Sequence, residues 1–176
     1  MVAAIAALVI GQKVMAEGLD GKKIQILPAP GSKGVVTFFV LAGCPNAQAY
    51  APEMNRIAKK YGPEGWKFYL AYAESLYSIK VLQKNSKEFG YIFPSILGQG
   101  EIRSRSHATI SPEVAVFAPS GTLLYNGRID DRFYALGKSR LEPQVRDLRL
   151  TLDAIDAGKP APRAHTEAVG CILPID

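Results

Sequence analysis

The stretch VVTFFVLAGCPNAQAYAPEMNRIAKKYG, residues 35–62, decides the fold. Val35 to Leu41 is a continuous β-branched, aromatic and aliphatic run without polar alternation. That pattern belongs to a central strand buried on both faces, as in a parallel sheet. Gly43-Cys44-Pro45 ends it, and Pro45 suits a first helical position, where its missing N–H costs nothing. Tyr50, Met54, Ile57, Ala58 and Tyr61 then form one apolar stripe at helical spacing, which Gly62-Pro63 stops. Strand, cysteine, helix is the order to explain.

Working outward, Trp66 to Tyr72 reads as the next strand. Residues 75–89 read as a helix with Leu76, Ile79, Leu82 and Phe89 inward and Gly90 as its cap. Ser111-Pro112 precedes a strand over Val114 to Phe117, and Pro119-Ser120-Gly121-Thr122 turns it back through Leu123 to Tyr125. Glu142-Pro143 opens a last helix with Val145, Leu148, Leu152 and Ile155 on one face, closed by Gly158 and Pro160. Upstream, Asp20-Gly21 marks a turn between two short strands. The order β-α-β-α-β-β-α predicts a three-layer α/β sandwich around a mixed β-sheet.

Composition narrows the function classes. The chain has 176 residues, 48% of them hydrophobic, enough for one domain with a full core and too apolar for disorder. The net charge is +5, with no run of bases longer than two and none interleaved with aromatics, so no nucleic-acid groove is predicted. Two cysteines, Cys44 and Cys171, and two histidines, His107 and His165, show no metal-ligand spacing, so neither a metal nor a cofactor is expected. The uncharged run VAAIAALVI at 2–10 is too short to span a bilayer, which needs about 20 residues. It suits the apolar part of a leader, with Val14-Met15-Ala16 as a cleavage site, although no basic segment precedes it; a buried first strand or helix is the alternative. The organisation expected is therefore a leader over 1–16, a domain over 17–158 and a tail over 159–176. An exported protein, periplasmic or extracellular, is the corresponding expectation.

Cys44 has a physical reading of its own. A thiol at a helix N-terminus faces unpaired backbone N–H groups and the positive end of the helix dipole. Both favour thiolate, so its pKa should lie below the free value of ~8.5. A buried structural cysteine is the alternative.

Four segments together resemble the thioredoxin-like superfamily, and within it the redoxin branch of alkyl hydroperoxide reductases and thiol-specific antioxidants. They are residues 35–62, FPSILG at 93–98, ISPEVAVFAPSGTLLYNGRIDD at 110–131, and RDLRLTLDAIDAGKPAPRAHTEAVGCIL at 146–173. The resemblance covers roughly residues 19–173. It implies a thioredoxin-like sandwich and a thiol-dependent, peroxiredoxin-like oxidoreductase. Cys44 would be the nucleophile, Pro45, Asn46 and Ala47 would stabilise its thiolate, and Ser111 with a cis Pro112 would shape the substrate groove. A peroxide or a protein disulfide would be the substrate and an external thiol the reductant.

The sequence departs from the related patterns in two places. A thioredoxin-type pair needs a second cysteine where Ala47 stands. Peroxiredoxins carry Pro and Thr or Ser at the positions of Thr37 and Leu41, so the hydroxyl that would orient a peroxide is missing there. A non-catalytic thioredoxin-like binding module of a larger redox assembly is the competing reading. For Cys171 three readings stand: a thiol that resolves an oxidised Cys44, half of a structural disulfide, or an unpaired thiol. His107 and His165 read as solvated side chains, and Arg128-Ile129-Asp130-Asp131-Arg132 as a salt-bridged surface turn.

Overall fold

A computed structural model describes residues 12–74 and 76–174. β1 (Val14–Glu17) and β2 (Lys23–Leu27) form an antiparallel hairpin across the expected Asp20-Gly21 turn. β3 (Gly34–Val40) follows, buried at every residue, and leads through a tight loop into α1 (Pro45–Tyr61). β4 (Trp66–Tyr72) returns parallel to β3, and α2 (Ile79–Glu88) leads to β5 (Ser95–Leu97), again parallel. After α3 (Glu101–Ser106), β6 (Ile110–Ser111) runs into β7 (Glu113–Phe117), which hairpins into β8 (Leu123–Gly127). The short β9 (Phe133–Ala135) and β10 (Lys138–Ser139) pair before α4 (Asp147–Asp156), and β11 (Cys171–Ile172) closes the chain.

The five-stranded sheet has the order β5-β4-β3-β7-β8, with β7 antiparallel to β3. This is a mixed central sheet, as the element order predicts. One face packs Val36, Phe38 and Val40 against Met54, Ile57 and Tyr61 of α1, Leu82 of α2 and Leu148 and Leu152 of α4. The other packs Val35 and Phe39 against the β1–β2 hairpin and Ile102 of α3. Alternate residues of β3 thus feed both faces, which is why the run needs no polar positions.

Four expectations differ from the structure. The segment 1–16 was expected to lie outside the fold, yet Val14 and Ala16 belong to β1 and are buried in the second core. Residues 1–11 lie outside the described residues. α2 begins at Ile79, not at 75, with an extended Ser78 before it; Leu76 is 87% exposed and Ile79 is exposed too, leaving Leu82 as the buried residue. α4 begins at Asp147, not at Glu142. The Asp131 carboxylate accepts the N–H groups of Gln144 and Val145, at 2.7 and 2.9 Å, and holds them in a loop. Lastly, residues 159–174 of the expected tail are no loose appendage. Thr166 and Leu173 are buried, and the tail contributes β11. No helix among the described residues is long and apolar enough to cross a membrane.

Candidate active site

Cys44 is the N-cap of α1, 1% exposed, with an extended backbone that places its side chain beneath the first helical turn. Its loop is held from several directions. The Cys44 N–H donates to the Leu41 carbonyl at 3.0 Å. The Ala42 N–H donates to the buried Glu74 carboxylate at 2.6 Å, and the Ala42 carbonyl accepts from Gln48 and Asn85. Burial raises the pKa of Glu74, and the Ala42 N–H acts against that rise. A loop engaged through the peptide groups of Leu41, Ala42 and Cys44 keeps the thiol in one place.

Ser111 forms the opposite wall. It is fully buried, and its peptide bond to Pro112 is cis, as the resemblance implies; Leu27-Pro28 is cis as well. The protonated Cys44 thiol donates to the Ser111 carbonyl at 3.1 Å. The Ser111 hydroxyl accepts the Leu41 N–H at 2.8 Å and lies close enough to the Cys44 sulfur to lower its pKa. Sequence reasoning assigned Ser111 a backbone role only. The structure adds that its hydroxyl ties the Leu41 peptide to the β6 wall.

The tail delivers Cys171 to the same point. It first runs beside β8, where the Asn126 N–H donates to Ala164 and the Thr166 N–H donates to Asn126. The Thr166 hydroxyl shares a 2.6 Å hydrogen bond with Tyr125 and accepts the Arg128 N–H. Gly127, with φ +141°, leaves room for this crossing, because a Cβ there would overlap Thr166. Asn46 of α1 then donates its amide to the Val169 carbonyl at 3.1 Å. Finally β11 pairs antiparallel with β6, Cys171 opposite Ser111 and Ile172 opposite Ile110, and Leu173 enters the second core.

No disulfide joins the two thiols, which lie close enough for each to shift the pKa of the other. Burial pushes the Cys44 pKa up, but donation from the Cys171 thiol, the Ala47 N–H and the Ser111 hydroxyl outweighs it, leaving Cys44 below its ordinary value. Cys171 is pushed up to about 11 by its own burial, by its hydrogen bond to Cys44 and by the charge there. The arrangement stabilises one thiolate and keeps the proton on its neighbour. Tyr91 lies near enough that burial and the Cys44 charge together raise its hydroxyl pKa.

The other residues singled out in the sequence have separate surroundings. Pro45 is exposed at the start of α1, Asn46 ties down the tail, and the Ala47 N–H faces the sulfur. His107 is the exposed cap of α3, and His165 is exposed against Asn126. The 128–132 segment differs from the surface turn expected of it. Asp130 and Asp131 are buried, Asp130 accepting the Tyr50 hydroxyl, while Arg128 pairs with Asp147 at 2.7 Å. These carboxylates organise the 128–147 loops.

No protein-family model matches the chain, and no curated protein matches it in sequence. Its fold does have relatives among solved structures. A hypothetical protein from Sinorhizobium meliloti is 18% identical with a TM-score of 0.78, covering 92% of this chain and 90% of its own. An uncharacterized conserved protein from Geobacillus kaustophilus is 23% identical with a TM-score of 0.74, covering 95% and 92%. A secreted disulfide oxidoreductase from Mycobacterium tuberculosis is 20% identical with a TM-score of 0.53, covering 63% and 80%. Together with the sheet order, these likenesses show that the chain has a thioredoxin-like fold.

Proposed function

We propose that this protein is a thiol-dependent oxidoreductase that cycles between a Cys44/Cys171 dithiol and a Cys44–Cys171 disulfide. The observation that carries the reading is the pairing of β11 with β6, which puts Cys171 on Ser111 against Cys44. Cys44 is the attacking thiolate and Cys171 the resolving thiol. With a peroxide, the Cys44 sulfur attacks one oxygen, the O–O bond breaks, and a sulfenic acid and hydroxide form. Cys171 then attacks the Cys44 sulfur, and the departing hydroxide leaves as water with the Cys171 proton. With a disulfide, Cys44 forms a mixed disulfide that Cys171 displaces. Two external thiols restore the dithiol in either case.

Of the family features, the reading keeps the thiol chemistry. The Ser111 hydroxyl favours a peroxiredoxin-like variant, since it stands at the sulfur where Leu41 offers no hydroxyl. Export fits the same chemistry, because disulfides persist in oxidising compartments. Cleavage after Ala16 would take Val14 and Ala16 out of the second core, so a processed form that keeps β1 is cut upstream of Val14.

The test is oxidation of the reduced protein by one equivalent of hydrogen peroxide or diamide. The expected product has lost about 2 Da, with one peptide linking Cys44 to Cys171. Cys171→Ser should stop at the Cys44 sulfenic acid and over-oxidise with excess peroxide. Absence of any intramolecular disulfide with both oxidants, together with a Cys44 alkylation pKa at or above ~8.5, would return the chain to the binding-module reading.

A further inference from the structure

We infer that residues 170–173 are a substrate strand supplied in cis, and that they reserve Cys44 for small oxidants, hydroperoxides above all, by holding the place a protein disulfide would need. The inference rests on the proposed role of Cys44 and adds the class of molecule it meets.

Three observations carry it. First, the backbone edge of β6 beside Cys44 is taken. Cys171 and Ile172 pair with Ser111 and Ile110, and the Leu173 N–H donates to the Thr109 carbonyl at 2.8 Å. An extended peptide brought to Cys44 by strand addition would use the same main-chain groups. Second, the approach is close enough that Gly170 is required. A Cβ there would overlap the Ser111 carbonyl, a backbone atom that cannot swing aside. Third, the strand is fastened at both ends, by Thr166 and Asn46 before it and by buried Leu173 after it. Cys171 therefore occupies the position of the incoming sulfur.

Exposure agrees with this. Cys44 is 1% exposed, and a nearby open groove of about 710 Å³, between the β1–β2 hairpin and α2, is lined by neither cysteine. A hydroperoxide needs a path for two oxygen atoms; a protein disulfide needs the tail to leave. The peroxide step then runs in place. The O–O bond breaks, hydroxide leaves, and the Cys171 proton departs with the second oxygen as water when the disulfide forms.

The test compares two oxidants on the full-length reduced protein: hydrogen peroxide and a ten-residue peptide cyclised by one disulfide. Quenched samples are mapped by mass. In the native sequence peroxide yields the Cys44–Cys171 disulfide, while the peptide reacts only through the small fraction with the tail released. Gly170→Val should speed the Cys44–peptide mixed disulfide by about tenfold or more, because the released fraction sets the apparent rate. The same variant should accumulate Cys44 sulfenic acid under peroxide. Thr166→Val, which loosens the tail without touching the strand, should move both readouts in the same direction by about fivefold, and decides the matter if Gly170→Val fails to fold. Equal peptide rates in the native protein and in either folded variant would overturn the inference. Failure of the underlying thiol reading looks different: neither oxidant would change the mass at Cys44 in any of the proteins.

Discussion

Cys44 and Cys171 lie against the same serine, in unlike settings. Cys44 sits at the head of a 17-residue helix, in a loop pinned by Glu74, Gln48 and Asn85. Cys171 sits on a two-residue strand at the end of a tail held by short backbone pairings and by Asn46, Thr166 and Leu173. Donors converge on the first sulfur and draw its pKa down, while burial and the neighbouring charge drive the second up to about 11. The contrast separates two jobs that thioredoxin-type sites combine in one loop. In the proposed cycle the pinned loop prepares a nucleophile, and the docked tail carries the group that reacts with it next.

Removing either sulfur tests the contrast most severely. Cys44→Ser should lower peroxide consumption by about a thousandfold or more, because an alkoxide is not accessible near neutrality. Cys171→Ser should leave the first oxidation measurable and abolish only disulfide formation, read by dimedone labelling and mass. Equal losses in both variants would erase the distinction between the thiols.

Next in size is the effect of oxidation on stability. The cysteines lie 127 positions apart, and closing so long a loop stabilises by up to about 5 kcal/mol in the chain-entropy treatment. Since the tail is already docked, little native-state strain opposes it. Chemical denaturation should move to clearly higher denaturant on oxidation, and Cys171→Ser should show no such change. An unchanged midpoint would mean that the docked tail is not the state that oxidises.

How far the sequence reveals this division depends on range. The central strand and α1 are legible because their patterns are local, a seven-residue apolar strand followed by a stripe at helical spacing. The thiol at the junction follows from the same stretch. Pairing of Cys171 with Ser111 is not legible, because a two-residue strand has no periodicity and its register is set by anchors at Thr166 and Leu173. The carboxylates are opaque for a similar reason. Glu74, Glu113 and Asp131 are buried because each accepts backbone N–H groups, of Ala42, of Thr109 and Ile110, and of Gln144 and Val145. Asp or Glu in a sequence reads as surface until such partners are known. Leu76 is the reverse case, an apolar residue left outside because the helix starts late, after Ser78.

A pH series sharpens the contrast further. Alkylation of Cys44 should rise through a pKa below ~8.5 and then level, while Cys171 stays silent until the range of its raised pKa. Ser111→Ala removes one group that lowers the Cys44 pKa and should raise it, reducing the thiolate fraction below both values. Stability follows with opposite signs. The depressed Cys44 contributes stability above the unfolded pKa of ~8.5 that is lost as pH falls through its folded value. The raised Cys171 contributes stability below ~8.5 that is lost as pH rises toward its folded value. For the reduced protein the thiol contribution therefore peaks near pH ~8.5 and flattens in the double Cys→Ser variant. A monotonic profile would show that the two shifts are not opposed.

The smallest expected effect isolates the tail from the thiols. Asn46 belongs to the rigid region but reaches out of it, its amide donating to Val169 at 3.1 Å, two residues before Cys171. Asn46→Ala removes that single part-buried hydrogen bond and leaves Cys44, Ser111 and the β6–β11 pairing untouched. One such bond is worth about 1 kcal/mol, so the released fraction of the tail should rise about fivefold. Under peroxide the lifetime of the Cys44 sulfenic acid should lengthen only slightly, since most molecules still have Cys171 docked. Hydrogen exchange at the Leu173 amide, which donates to Thr109, should quicken by the same factor, with exchange in β3 and α1 unchanged. Faster exchange spreading into α1 would mean that tail and loop open as one unit. The comparison between a fixed nucleophile and a detachable partner would then give way to a single cooperative site.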